Sequence, residues 1–157
     1  MSFKSVIISG AMAQDHEFIY PFYRLLEEES KLDVCIIGGN PVQGFLGTTL
    51  PPNKNFPIKD INEIKVEDYD LLILPGGVKA MEKIRQNKDL IKFISDFYNA
   101  DKVIGCICSG VQLMISAKII KGKKIAGYYH LQDDIENAGA IYTDKPAVID
   151  GKIITTA

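Results

Sequence analysis

Residues 102–116 form one continuous motif whose pattern changes in the middle, Lys102-Val103-Ile104-Gly105-Cys106-Ile107-Cys108-Ser109-Gly110-Val111-Gln112-Leu113-Met114-Ile115-Ser116. The first half is an apolar, β-branched run typical of a buried strand, and the second half has the composition of a buried helix. Cys108 lies at the junction. A strand that turns sharply into a helix lifts one side chain out of the sheet and faces it with the free N–H groups of the helix. Because helix N-termini lower the pKa of a cysteine, we expect Cys108 to be a thiolate near neutral pH in a cysteine-centred enzyme or sensor.

Each of the three cysteines could instead be a small buried core residue, which is what most unpaired cysteines are. Cys106 fits that alternative better than Cys108, because it lies inside the apolar run and not at its exit. The Cys-x-Cys pair has no second cluster and lacks the ligand spacing of structural zinc, so we expect no metal. An odd number of cysteines without framework spacing favours free thiols in a reducing, cytoplasmic compartment.

Length and charge exclude several classes of protein. Eighteen basic and 20 acidic residues give a net charge of −2 without a run of like charge, so we expect no nucleic-acid partner. The N-terminal apolar stretch is too short for a signal peptide, and no segment approaches the ~20 apolar residues of a membrane span. The sequence also offers no motif for a cofactor. A chain of 157 residues is long enough for one domain, and we expect a single domain over 1–157.

Three further apolar runs resemble the strand half of the motif, at 5–8, 34–37 and 71–74. None of them alternates polar with apolar residues, which indicates strands buried on both faces of a parallel sheet. Helices are predicted from Asp15, a candidate N-cap, through the apolar positions Phe18 and Phe22, and again over 88–98. The fold class is therefore α/β, with helices on both sides of a mostly parallel sheet.

The remaining segments are predicted from turn residues and shorter patterns. Residues 38–60 are rich in Gly and Pro and are interpreted as a loop or small hairpin. After the elbow we expect a strand over 123–129, a short helix over 131–138 and several short strands over 140–156. An α/β domain usually covers its last strand with a helix, and no such helix follows in this sequence.

Two segments can bring chemistry to the neighbourhood of Cys108. Gly76 and Gly77 follow a predicted strand, and the backbone N–H of Gly77 together with that of Ser109 could form an oxyanion hole. Glu17 opens the first helix, where it could hold or share the proton of the thiol, although a surface glutamate favoured by the helix dipole fits equally well. All these residues follow strands, and α/β sheets bind ligands at the carboxyl ends of strands.

A histidine base would have to be His16 or His130, the two histidines of the chain. His16 fits a solvated residue of the first helical turn. His130 follows the predicted strand over 123–129 and would be carried toward the sheet end that holds Cys108. We therefore include His130 among the candidate catalytic residues, with a polar surface residue as the alternative.

These motifs together resemble the ThiJ/PfpI superfamily, which has the class I glutamine amidotransferase-like fold. The resemblance covers nearly the whole chain in order, at Asp15-His16-Glu17-Phe18-Ile19-Tyr20-Pro21, Leu72-Ile73-Leu74-Pro75-Gly76-Gly77, 80–85, 105–110 and 133–139. It is closest to the PfpI-type intracellular protease branch. The resemblance implies a flavodoxin-like three-layer α/β/α sandwich with a mostly parallel central sheet, no cofactor, and a homodimer or higher homo-oligomer. It also implies that the family's C-terminal helix is absent from these 157 residues.

The resemblance assigns roles by position. Cys108 matches the nucleophile, Glu17 the acid that hydrogen-bonds it, and Gly77 with Ser109 the backbone donors. Glu82 matches an acidic residue that the PfpI type lends to the site of a neighbouring subunit. Where that branch has a histidine directly after the cysteine, this chain has Ser109. The deglycase-like branch takes its histidine from the next strand, at the position of Tyr128, so His130 could substitute from two residues further on.

Three functions are compatible with these observations. The leading hypothesis is a cysteine-dependent enzyme in which Cys108 attacks a small carbonyl, as in a glyoxalase or deglycase, or an amide or peptide, as in a protease or other hydrolase. The alternative is a non-enzymatic redox or oxidative-stress protein in which Cys108 is oxidised to a sulfinate beside Glu17. The third is a ligand-binding domain without activity.

Overall fold

A computed structural model describes residues 3–157 of the chain. Eleven strands are present in these residues: β1 (Lys4–Ser9), β2 (Lys31–Ile36), β3 (Val42–Gln43), β4 (Thr49–Leu50), β5 (Ile58–Lys59), β6 (Leu71–Leu74), β7 (Val103–Ile107), β8 (Lys124–Ile125), β9 (Ile141–Tyr142), β10 (Ala147–Asp150) and β11 (Ile153–Thr156). Five α-helices accompany them: α1 (Asp15–Glu27), α2 (Val78–Ile84), α3 (Lys88–Asn99), α4 (Val111–Ser116) and α5 (Gln132–Asn137).

Seven of the strands form one central sheet in the order β10-β11-β7-β6-β1-β2-β5. Every neighbouring pair is parallel except β10 with β11, which is antiparallel. In register, Ile7 of β1 lies between Val34 of β2 and Ile73 of β6. With helices flanking the sheet, this is the flavodoxin-like α/β architecture that the sequence predicted.

The apolar runs form strands because both faces of the sheet centre are covered. In β1, five successive residues from Ser5 to Ser9 are buried, and successive side chains of a strand point to opposite faces. Phe18 and Phe22 of α1 and Leu90 and Ile94 of α3 are fully buried in the same core. At about 25 cal/mol per Å² of apolar surface, burial of each such large side chain contributes roughly 1.5–3 kcal/mol to folding.

Coverage is less complete toward the β11 side of the sheet. Burial alternates along β6 and β7, so that Ile73 and Ile107 are only half-buried while Leu74 and Cys106 are buried. Thr156 of β11 is half-buried in the same way. One face of β6, β7 and β11 is therefore only partly covered by the described residues.

Three predictions about local structure need correction. The strand predicted over 123–129 is limited to Lys124–Ile125, which pairs with β9 in a separate two-stranded sheet. It ends there because the N–H of Ala126 donates to the side chain of Thr155, at 2.9 Å, and the N–H of Tyr128 donates to the carbonyl of Cys108, at 3.3 Å. The following residues are apolar because they pack on the elbow, and Tyr129–Leu131 is a 3₁₀ helix.

The prediction that Asp15 caps α1 is also wrong. Gln14 is the N-cap, and Asp15 is the first residue of the helix with only 1% of its surface exposed. Its carboxylate accepts hydrogen bonds from the N–H groups of Leu46, at 2.7 Å, and Thr48, at 2.9 Å. Residues 38–57 form the predicted excursion, with β3 and β4 as a small hairpin whose tip is held against α1 by Asp15. The prediction is wrong for Ile58 and Lys59, which pair in parallel with β2 and form β5 at the edge of the central sheet.

Replacing Asp15 with Asn should destabilise the fold by about 2 kcal/mol at pH 7, because one buried acceptor is replaced by an amide donor facing backbone N–H groups. Burial raises the pKa of Asp15, but the N–H groups of Leu46 and Thr48 outweigh it and leave the pKa lowered. The stabilisation is thus complete above about pH 4 and is lost as the pH falls through the folded pKa. Denaturant unfolding of wild type and Asp15→Asn should converge in acid. Asp144→Asn, at an exposed aspartate, is the matched control, and a constant difference across the pH range would contradict the assignment.

Candidate active site

The candidate site lies where three neighbouring strands end. β1, β6 and β7 are adjacent and parallel, so the segments that follow them meet at one edge of the sheet. The chain passes from β1 to β2 and β5 on one side and then returns to β6, β7 and β11 on the other. Ligands of open α/β sheets bind at such a reversal of strand order, outside the carboxyl ends. A pocket of about 400 Å³ opens here, and Glu17, Gly77, Cys108 and Ser109 contribute to its lining.

Cys108 forms the strand-to-helix elbow that the sequence predicted. Its backbone has φ +55°, in the left-handed region that few non-glycine residues adopt, and it begins a 3₁₀ turn that leads into α4. The sulfur side of the residue is half-buried, whereas Cys106 is 3% exposed. Gly110 makes the turn possible, because a Cβ there would lie 2.5 Å from the carbonyl oxygen of Leu74.

Glu17 reaches this elbow from the first turn of α1. Its Oε2 accepts the backbone N–H of Gly76 at 2.7 Å, and the Cys108 side chain is close enough to act on the pKa of its carboxyl. A Cβ at Gly76 would lie 2.6 Å from Oε2 and 2.8 Å from the backbone nitrogen of Ser109, so only glycine allows this approach. The structure thus brings together Glu17 and Cys108, which lie 91 positions apart in sequence.

Glu17 and Cys108 hold one proton between them over a wide pH range. Burial raises the pKa of Glu17, and the hydrogen bonds from Gly76 and Cys108 offset this only in part. Burial, and then the charge of Glu17, raise the pKa of the Cys108 thiol to about 11. Two groups coupled in this way lose their protons in steps that belong to the pair. Between those steps, the single proton is available to either the carboxylate or the sulfur.

The expectation of a low pKa at Cys108 is therefore wrong for a thiol beside an ionised Glu17. The donors of Ser109 do lower the pKa, but burial and the neighbouring carboxylate are stronger. The helix contributes little because α4 has only six residues and starts three positions after Cys108. The other cysteines are less acidic still: burial raises the pKa of Cys35 to about 12 and raises that of Cys106 further.

The two predicted oxyanion donors have different partners. The N–H of Gly77 donates to the side-chain oxygen of Ser109 at 2.8 Å, so this donor is engaged within the protein. The N–H of Ser109 acts in the direction of a lower pKa at the Cys108 thiol. Gly77 is held at φ +106°, and a Cβ there would lie 2.5 Å from the backbone nitrogen of Gln14. The loop therefore has little freedom to reorient its N–H.

Neither histidine, although both lie within residues 3–157, lines this pocket. His130 is exposed on the 3₁₀ helix Tyr129–Leu131, and the centre of its ring lies 5.0 Å from that of Tyr128. Tyr128, and not His130, lines the pocket. The early end of β8 is the reason, since the chain turns away before His130. His16 is exposed on α1. Glu82 is exposed on α2 outside the pocket, and its role toward a neighbouring subunit stays a prediction.

Sequence reasoning missed the walls of the pocket. Met12, Phe45, Val78 and Tyr128 supply apolar surface, and Lys79 is the cation of the lining. The Lys79 ammonium lies 5.9 Å from the centre of the Phe45 ring. Phe45 comes from the hairpin excursion, where an exposed Gly-Phe-Leu-Gly tip was the signal available in the sequence.

Residues 3–157 contain neither a candidate metal cluster nor a candidate membrane-spanning helix. No cluster of three or more His, Cys, Asp or Glu side chains there has the proximity needed to hold a metal ion. No helix in the same range has the length and apolar character needed to cross a membrane.

Comparisons with known proteins agree on one family. Residues 4–157 match the sequence model of the DJ-1/PfpI family. An uncharacterised protein of Archaeoglobus fulgidus is 36% identical over 151 residues, which cover 96% of this chain and 86% of that protein. Deglycase PfpI of Pyrococcus furiosus is 30% identical over 98% of this chain and 89% of its own. A two-domain protein of Anabaena variabilis with DJ-1/ThiJ/PfpI-like and ferritin-like domains has a solved structure that superposes with a TM-score of 0.90, at 27% identity, over 99% of this chain and 43% of that one.

Replacing Glu17 with Gln should make Cys108 more acidic, because the neutral amide no longer opposes the charge on sulfur. At pH 8, well below the wild-type pKa of about 11, we expect alkylation of Cys108 by iodoacetamide to be at least about tenfold faster in the variant, corresponding to one pKa unit. Mass spectrometry of the cysteine peptides gives the rates. Glu27→Gln, an exposed glutamate on the same helix, should match wild type. Slower alkylation in Glu17→Gln would show that the carboxyl acts mainly as a proton donor to sulfur.

Proposed function

The chain belongs to the DJ-1/PfpI family, and from this premise we propose that it is a cysteine-dependent enzyme that acts on small reactive carbonyl compounds, with Cys108 as nucleophile. The observation that carries the proposal is the half-buried Glu17–Cys108 pair in the lining of a largely apolar pocket at the carboxyl ends of the strands. Relatives named deglycases support enzymatic activity of this family type.

The first step uses the proton shared by the pair. As the Cys108 sulfur bonds to a carbonyl carbon, the thiol proton passes to Glu17 and the π electrons of the carbonyl move to its oxygen. The raised pKa of Glu17 suits this role, because a general base works best when its pKa lies near the working pH. The product is a hemithioacetal once Glu17 returns the proton to the oxygen.

A 2-oxoaldehyde completes the reaction without a further reactant except water. In the hemithioacetal, a base moves the proton from the former aldehyde carbon to the neighbouring carbonyl carbon through an enediol, and the result is a thioester of Cys108. Water then hydrolyses the thioester to a 2-hydroxy acid and frees the thiol. Glu17 is placed to carry each of these protons, and no electrons enter or leave the system.

Small carbonyls are favoured over peptides for a chemical reason. Peptide cleavage needs an acid that protonates the leaving amine, a role that histidine fills in cysteine and serine proteases. Neither His16 nor His130 lines the pocket. Addition to a reactive aldehyde has no leaving group and makes a smaller demand on the site. A protease or amidase function is therefore the second candidate.

Wild type should consume methylglyoxal and form lactate, and Cys108→Ser should reduce that rate by at least about 10³-fold, because the weaker hydroxyl nucleophile lacks an adequate base. Cys35→Ala removes a buried thiol on β2 far from the pocket and should retain activity. Lactate release is followed by chromatography, beside a fluorogenic peptide as the protease arm.

Two outcomes of these assays would favour a different function. Peptide cleavage that depends on Cys108, without methylglyoxal turnover, would favour the hydrolase. Selective oxidation of Cys108 to a sulfinate by peroxide, with no turnover of either substrate, would favour the redox alternative.

The chain is also expected to associate with itself. The partly covered face of β6 and β7 adjoins α1, where Tyr20 is 70% exposed, and a pocket lined by Pro21, Leu25 and Ile73 lies between them. Apolar surface of this kind is a common basis for subunit contacts. By resemblance, Glu82 of one subunit would then approach the Cys108 pocket of another.

Sedimentation equilibrium should therefore give a dimer or larger assembly, and specific activity should fall as protomers separate on dilution. Glu82→Gln should lower activity without changing the unfolding temperature, whereas Glu67→Gln, at another exposed glutamate, should change neither. A monomer with full activity at all concentrations would remove both the assembly and the role of Glu82.

A further inference from the structure

Lys79 is a charged residue of the pocket lining that the proposed reaction does not use. Among residues 3–157, the ionic side chains of this lining are the Glu17 carboxyl and the Lys79 ammonium. We propose that Lys79 is a specificity-determining residue that selects small aldehyde substrates carrying a carboxylate group. This inference deepens the proposed function and rests on it, because the carboxylate would be recognised in the same pocket as the Cys108 nucleophile.

The ammonium group of Lys79 lies beside an apolar wall of the pocket. Its Nζ is 5.9 Å from the centre of the Phe45 ring, over the ring, and both residues line the same pocket. A cation within about 6 Å of an aromatic centre is attracted by the electron-rich face of the ring. Phe45 therefore favours those conformations of the exposed Lys79 side chain that keep its charge at the pocket.

The backbones of both residues are held in place. Lys79 is followed in α2 by Ala80 and Met81, which are fully buried. The N–H of Phe45 donates to the carbonyl of Ala13 at 2.8 Å. Because binding is costly mainly where groups must be ordered, a ligand at this position has to order little more than the Lys79 side chain itself.

Lys79 has no carboxylate partner within residues 3–157. Other lysines of the chain do have one, in the pairs Lys59–Asp33 at 2.7 Å, Lys92–Asp96 at 2.5 Å and Lys123–Asp150 at 3.4 Å. The ion pairs of the described chain do not include Lys79. An ammonium has three N–H donors, and contact with a ring face uses them only weakly. A ligand carboxylate could therefore bind Lys79 without displacing a carboxylate of the protein.

The two charged positions give the pocket a direction. The Glu17–Cys108 pair shares one proton and so carries one negative charge, which repels an anion. The carboxylate of a ligand is thus favoured at Lys79, and its uncharged aldehyde at the sulfur. One ammonium matches the single charge of a carboxylate, whereas a phosphate dianion would leave charge unmatched beside apolar walls. A volume of about 400 Å³ suits a small molecule that spans the two positions.

A 2-oxoaldehyde with a terminal carboxylate follows the same reaction as methylglyoxal. In 4,5-dioxopentanoate, the Cys108 sulfur would bond to the aldehyde carbon, and the proton of that carbon would move to the adjacent carbonyl carbon through the enediol. Hydrolysis of the thioester consumes one water molecule and gives 2-hydroxyglutarate, while the new carboxylic acid releases one proton. No oxidant or reductant is needed. The terminal carboxylate takes no part in these bond changes and serves for recognition.

Two alkylating reagents of different charge test Lys79 without a substrate. Iodoacetate and iodoacetamide both react with the thiolate and release iodide, so the ratio of their rates at Cys108 is independent of the thiol pKa. In Lys79→Gln, the iodoacetate-to-iodoacetamide ratio should fall about fivefold, the effect of one unit charge about 4 Å away in water. Lys79→Arg should keep the wild-type ratio. So should the matched control Lys83→Gln, at an exposed lysine of α2 outside the pocket.

The contact with the ring is tested by the same ratio. Phe45→Leu keeps an apolar side chain but removes the ring, and its ratio should lie between those of wild type and Lys79→Gln. A wild-type ratio in Phe45→Leu would overturn the positioning of Lys79 by the ring. An unchanged ratio in Lys79→Gln would overturn the whole proposal and make Lys79 a solvated surface residue. Equal decreases of both rates belong to that outcome, because they report only a change in the thiol pKa.

Turnover tests the selection of substrate. The matched pair is 4,5-dioxopentanoate and its methyl ester, which has the same reacting groups without the charge. The ratio of kcat/KM for the acid to that for the ester should exceed one in wild type and fall about fivefold in Lys79→Gln, mainly through KM. A ratio that does not change in Lys79→Gln would overturn the selection of carboxylates. Absence of turnover of both compounds in wild type would count against the proposed function, while the alkylation ratio would still decide whether Lys79 attracts anions to Cys108.

Discussion

The close approach of three backbone segments at Gly76 and Gly77 is the constraint on which the site depends. The turn after β6 lies against the start of α1 on one side and against the elbow after β7 on the other. A Cβ at Gly76 would strike Glu17 and Ser109, and a Cβ at Gly77 would strike Ala13 and Gln14. Parallel pairing of β1, β6 and β7 brings these segments to one edge of the sheet, but only the missing side chains let them touch.

That contact also determines the electrostatics of the pocket. The N–H of Gly76 favours a carboxylate at Glu17, whereas the two donors of Ser109 favour a thiolate at Cys108. Burial penalises either charge and a second charge even more. The balance leaves one proton on the pair, which is the state that the proposed attack by the thiol and return of the proton by Glu17 require.

Much of the fold could be predicted from the sequence, because unbroken apolar runs identify parallel strands and punctuating glycines identify their ends. The elbow at Cys108 followed from the same rule. The proximity of Glu17 was left open by the sequence pattern, which fits a surface glutamate equally well, and was implied by the family resemblance. The ionisation of Cys108 could not be predicted, because it depends on burial and on the distance to a single carboxyl.

His130 was predicted to lie near the site because the strand predicted over 123–129 was too long. The observed strand is short because Thr155 and Cys108 accept the hydrogen bonds that would have extended it. The role of Asp15 as an anchor was hidden as well, since a first-turn aspartate matches a cap equally well.

Asp15 anchors the hairpin through backbone N–H groups. The position of this wall of the pocket is therefore separate from the identity of the side chain that it carries at position 45. Phe45 directly precedes the anchored residues Leu46 and Thr48, and its own N–H donates to the carbonyl of Ala13 at 2.8 Å, so the backbone of this wall is held independently of its side chain. Glu17 sits two residues beyond Asp15 on the same helical turn. The side chain at position 45 can therefore vary while the carboxyl that handles the proton stays in place. In evolutionary terms, the apolar wall of the pocket can diverge at the hairpin tip while the Glu17–Cys108 pair is inherited unchanged.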